Sequence, residues 1–215
     1  MKKEIIHQVY IIESPSENDL LKNRCEGKSL TEILTLQNIR HSYYLCISED
    51  SFEKVVDIII EDLNRLKEEC FVWPIIHISS HGNPTQMIFS NGDLIEWTEI
   101  GNQLEKIHHQ VFPEFDFSPV ELVMSACYGY NASFCDISKE NIRFSVVIGC
   151  DERIRWDASL VAFSSYYYNT IVNEINGNLA VECMNNSINE KEHFKVYISK
   201  KLSEMITQRG KKSDA

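Results

Sequence analysis

Short apolar runs alternate along the chain with longer stretches in which apolar residues recur every three or four positions. "IIHQVYII" (5–12) predicts a strand, and Leu30, Ile33, Leu34 and Leu36 predict a helix near 28–40. "SYYLCIS" (42–48) predicts a second strand. Ser48, Asp50 and Ser51 then offer caps for a helix to about Lys67, carrying Val55, Val56, Ile59, Ile60, Leu63 and Leu66. "FVWPIIHIS" (71–79) is the third strand. Asn91-Gly92, set between apolar pairs in "MIFSNGDLIEW" (87–97), signals a tight hairpin, with a helix beyond it to about His109. "VELVMSA" (120–126) and "RFSVVIGC" (143–150) predict the fourth and fifth long strands. Helices are expected over 157–175, with Leu160, Phe163, Tyr167 and Ile171 on one face, and over 178–188; "FKVYIS" (194–199) predicts the last strand.

Strands alternating with helices predict an α/β fold of three layers, a mostly parallel six-stranded sheet with helices on both faces. No repeat, low-complexity run or interdomain linker interrupts the pattern. One domain is expected over 1–205, with 206–215 as a flexible basic tail. In such sheets ligands bind beyond the carboxyl ends of the strands.

Charge and cysteine content narrow the function. With 32 acidic and 21 basic residues the net charge is −11, which speaks against a nucleic-acid partner, since phosphate binding needs clustered Lys and Arg. No apolar run approaches the roughly 18 residues of a membrane span, so no membrane association is expected. The 7 cysteines show no C-x-x-C pair, which argues against a metal and for a reducing, cytoplasmic setting. The segment "IESPSENDL" (12–20) contains no glycine, so the first strand is not followed by a phosphate-binding loop, and no cofactor is expected.

Candidate chemistry sits at two strand ends. "SSHG" (79–82) delivers His81 and then turns at Gly82, and "SACYG" (125–129) delivers Cys127 between small residues. A thiol becomes a strong nucleophile when a neighbouring imidazole takes its proton and later protonates the leaving group. Acyl transfer also needs donors for the developing oxyanion, commonly backbone N–H groups. Each feature alone has an ordinary structural reading, because strand-end histidines and buried cysteines are common. Their order, spacing and placement on consecutive long strands favour the catalytic one.

In these motifs the chain resembles the caspase-like cysteine peptidases: caspases, metacaspases, gingipains, separase and bacterial CHAT-domain proteases. There the histidine ends the third strand in a His-Gly pair and the cysteine ends the fourth. The caspase signature Q-A-C-[RQG]-G has its histidine about 50 residues upstream; here the separation is 127 − 81 = 46 residues. Ser125 and Tyr128 depart from that signature, and Ser125-Ala126-Cys127-x-Gly129 is closer to the bacterial CHAT pattern. The resemblance runs from about 5 to 200.

That resemblance implies a caspase-like fold with strand order 2-1-3-4-5-6. It implies His81 as general acid/base, Cys127 as nucleophile, and the N–H groups of Gly82 and Cys127 as oxyanion donors. The pocket for the residue before the scissile bond would be built from the first, fourth and fifth strand ends, which carry Glu13, Ser125, Asp151 and Glu152. Acids there favour a basic substrate residue, while Arg153 and Arg155 leave acidic substrates open. The resemblance implies a cysteine endopeptidase acting on a protein or peptide, released by a regulatory protein partner, with bacterial antiviral defence or cell death as its setting. About 15 residues separate Cys127 from the fifth strand, too few for a long cleavable linker between subunits. The alternatives are a catalytically silent caspase-like scaffold that binds a partner protein, and a flavodoxin-like thiol protein.

Overall fold

The structure is a computed structural model and describes residues 5–134, 143–189 and 193–204. Among the described residues eight strands form one sheet: β1 (Ile5–Ser14), β2 (His41–Leu45), β3 (Phe71–Gly82), β4 (Gln86–Ile88), β5 (Leu94–Glu96), β6 (Glu121–Ser125), β7 (Val146–Cys150) and β8 (Phe194–Ile198). The main path runs β2-β1-β3-β6-β7-β8, with the β4–β5 hairpin branching from β3. The six long strands therefore follow the expected order 2-1-3-4-5-6, and the small hairpin adds two more. All main-path neighbours are parallel except β7 and β8.

Side chains alternate between the two faces of a strand, and a sheet covered on both faces buries both sets. Tyr10, Ile12, Ile76, Ile78, Leu122 and Met124 face one cluster with α3 (Glu49–Leu66) and α4 (Trp97–Val111), through Val56, Ile60, Leu104 and Ile107. Val9, Ile11, Ile75, Val123 and Ile148 face the other. That second cluster joins α2 (Glu26–Leu36), α5 (Trp156–Tyr167) and α6 (Gly177–Ser187). The layers are helix, sheet, helix.

The odd-numbered positions of β3 and β6 thus look toward α2 and α5. His77, inside β3, lies buried there with its Nδ1 2.9 Å from the Tyr167 hydroxyl. In the same layer the Tyr166 hydroxyl donates to buried Glu121 at 2.6 Å. His81 is the next odd position of β3 after Ser79, and Cys127 lies two residues past the end of β6.

Element ends differ from the periodic pattern for local reasons. α2 stops at Leu36 because Asn38 takes a left-handed conformation (φ 57°), a common helix terminator. β7 begins at Val146, and Arg143 pairs instead with Glu105 of α4 at 3.2 Å. The helix expected to 175 is α-helical only to Tyr167 and widens into a π turn over Tyr168–Val172. There Asn169 and Thr170 side chains donate to carbonyls four residues back, which competes with the regular ladder. The hairpin turns with Gly92 at φ 90°, where a side chain would be strained. Cys135 and the tail over 206–215 lie outside the described residues.

Candidate active site

The carboxyl ends of β1, β3, β6 and β7 lie along one edge of the sheet, as parallel pairing requires. Between β3 and β6 the register runs from Ile75↔Glu121 to Ser79↔Ser125. Two residues further along each chain are His81 and Cys127. Both therefore stand at the carboxyl edge of the sheet, His81 still paired with Ile88 of β4 and Cys127 in the turn after β6. The backbones remain close: a Cβ placed on Gly82 would sit 2.4 Å from the Cys127 carbonyl oxygen and 2.9 Å from the Trp97 ring. Only glycine fits. Gly82→Ala is expected to lower the melting temperature by several degrees, consistent with about 1–3 kcal/mol of overpacking. An unchanged melting curve would show that the two strand ends are not held this tightly.

His81 is half-buried. Its Nε2 lies 2.7 Å from Asp19 Oδ2, and its ring meets Trp156 edge-on with centroids 5.2 Å apart. Asp19 comes from α1 (Glu17–Leu21), a five-residue helix capped by Ser16. Burial alone would raise the Asp19 carboxyl. The hydrogen bonds from Ser16 and His81, with the charges of His81 and Arg24, outweigh burial and hold it below its ordinary value. The carboxylate is therefore ionised and accepts, so Nε2 donates. The other oxygen, Oδ1, receives Arg24 at 2.8 Å.

Cys127 lies two residues past the end of β6, in a reversal of the chain. Tyr128 takes a left-handed conformation (φ 61°) and its N–H donates to the Glu152 carbonyl at 2.9 Å. The chain then enters a 3-10 turn over Gly129–Ser133. Cys127 is partly exposed, with its sulfur against the Ile154 backbone. It accepts from the Ile154 N–H at 3.4 Å and lies 3.6 Å from the Ile154 carbonyl. Ile154 also lines a cleft of about 600 Å³, with His81, Asp19, Trp156, Arg155 and Cys25. His81 lines this cleft, and Cys127 reaches its margin through the contact with Ile154.

The other residues expected at the site are placed differently. Glu13 is buried beneath the start of α2. Its carboxylate accepts from the N–H groups of Gly27 (2.8 Å) and Lys28 (3.0 Å) and from the Tyr43 hydroxyl (2.8 Å). A helix start carries unpaired N–H groups, and an anion there satisfies them. Glu13 is a cap, not a pocket wall, and this corrects the expectation from strand order. Glu13→Ala is expected to cost about 2–4 kcal/mol in chemical denaturation, because buried donors lose a charged acceptor. A loss below about 0.5 kcal/mol would refute the cap.

Ser125 is likewise fully buried, with its Oγ 2.6 Å from that of Ser159 in α5. It fastens β6 to α5 and has no surface to offer a substrate. Asp151 is exposed and paired with Lys195, and Glu152 is paired with His193 at 2.7 Å. Neither lines the cleft. The cleft's own charged residues are Asp19, Arg24, Glu26, Arg155 and Asp157. Asp19 was legible only as the end of a Ser16-x-x-Asp19 capping pattern, which signals a helix start but not its partner.

No family model matches the chain, and no curated protein matches its sequence. Among solved structures it is similar to the crystal structure of the Drosophila initiator caspase Dronc, with a TM-score of 0.58 and 11% identity. The alignment covers 91% of this chain and 79% of that one. At this identity the likeness is one of fold: the chain has a caspase-like fold.

Proposed function

We propose that the chain is a cysteine endopeptidase in which Cys127 and His81 form the catalytic dyad. One observation supports this reading: in a caspase-like fold the β3–β6 register ends at Ser79↔Ser125, two residues before His81 and Cys127, and the backbones there lie too close for any side chain on Gly82. Nε2 of His81 is taken by Asp19, which leaves Nδ1 for Cys127. Nδ1 accepts the thiol proton as sulfur attacks the peptide carbonyl. The N–H groups of Gly82 and Cys127 face the developing oxyanion. The imidazolium then gives its proton to the leaving amine, and water attacks the thioester with His81 as base.

The Cys127 sulfur makes only long contacts with the Ile154 backbone in this structure. The resemblance to caspase-like peptidases favours a regulated effector whose activity a partner protein or the substrate itself releases. The motif Ser125-Ala126-Cys127-x-Gly129 resembles the bacterial CHAT pattern and favours a CHAT-type member, with cytoplasmic defence or cell death as the setting. Among the described residues no helix is long and apolar enough to cross a membrane. With Glu13 buried under α2 and Asp151 paired with Lys195, neither acid stands where it would select a basic residue before the scissile bond. Incubation with a proteome-derived peptide library, reading new N-termini by mass spectrometry, tests the activity. New termini made by the wild type and absent with Cys127→Ala support the peptidase. Identical peptide sets favour the silent scaffold.

A further inference from the structure

We propose that Asp19 is the positioning residue of the site, holding the His81 ring by Nε2 so that Nδ1 turns to Cys127. This rests on the His81–Cys127 reading and extends it. α1 has little reason to exist as core. Its one buried residue is Asp19, 2% exposed, while its two leucines, Leu20 and Leu21, are 40% and 81% exposed. Burying a carboxylate is costly unless its oxygens are hydrogen-bonded. Here Ser16 and Arg24 bond it from its own side, and His81 bonds it from β3 across 62 residues of sequence. A purely structural Arg24–Asp19 pair would not need the histidine. Trp156 closes the ring from the α5 side, so two elements fix its orientation.

The chemistry follows from the contact. When Cys127 passes its proton to Nδ1, the ring becomes a cation whose Nε2–H already points at an ionised carboxylate. Asp19 stabilises that cation through the hydrogen bond and keeps no proton itself. The proton leaves from Nδ1 with the amine, and the ring returns to its starting form.

The test uses the whole chain and two readouts. The first is the proton on His81 Nε2, seen by NMR in protein with 15N-labelled histidine and assigned by its loss in His81→Ala. It should be protected from solvent exchange in the wild type and lost in Asp19→Ala. The second is the rate at which iodoacetamide alkylates Cys127, resolved by mass spectrometry. It should fall about 10- to 100-fold in Asp19→Ala and Asp19→Asn and recover most of the way in Asp19→Glu. If His81→Ala slows alkylation and Asp19→Ala does not, the positioning role is overturned and the dyad stands. If neither slows it, the dyad fails and the proposal with it. Should the Asp19 variants not fold, the wild-type spectrum decides: a rapidly exchanging Nε2 proton overturns the proposal.

Discussion

Replacing Cys127 by alanine is expected to abolish peptide cleavage, by at least about 10,000-fold, and to leave the fold standing. Removing a covalent nucleophile forfeits the acyl-enzyme route altogether, and what remains is binding and oxyanion stabilisation. The structural cost is small for a stated reason. Cys127 lies past the end of β6, is partly exposed, and belongs to neither apolar cluster. Its sulfur makes only weak contacts with the Ile154 backbone. Thermal unfolding of the variant should match the wild type to within a few degrees. Retained cleavage in a preparation free of other proteases would remove Cys127 from the mechanism.

His81→Ala is expected to lower cleavage about 100- to 10,000-fold, the range for loss of a general acid and base. Its cost to the fold is likewise limited, because the side chain is half-buried and Asp19 keeps Arg24 and Ser16 as partners. The Cys127→Ala, His81→Ala double variant should be no worse than the worse single one, since the two act as a unit. Additive losses would mean that they serve separate steps.

The sheet was legible because a strand buried on both faces writes itself as an apolar run bounded by polar residues. His81 and Cys127 stood out in the sequence because each follows such a run, and the register between their parallel strands ends two residues before both. The remaining site was not legible because it depends on pairings across the fold. Glu13 stands at a strand end like His81, but the start of α2 lies over it and takes its carboxylate. Asp151 and Glu152 follow the fifth strand, and their partners Lys195 and His193 come from the antiparallel neighbour and its approach. α1 escaped the periodic reading because five residues show no apolar face, and its leucines point to solvent.

Cys25 sharpens the final question, because it lines the same cleft as His81. Its thiol is pushed up by burial and then by the Glu13 charge, which makes it a poorer nucleophile at neutral pH. The most direct measurement is therefore site-resolved labelling with a mixed library of irreversible peptidyl electrophiles. The account predicts that the label falls on Cys127, that it is lost in Cys127→Ala, and that it persists in Cys25→Ala. Label on Cys25 that survives Cys127→Ala would contradict the account and move the nucleophile to the start of α2.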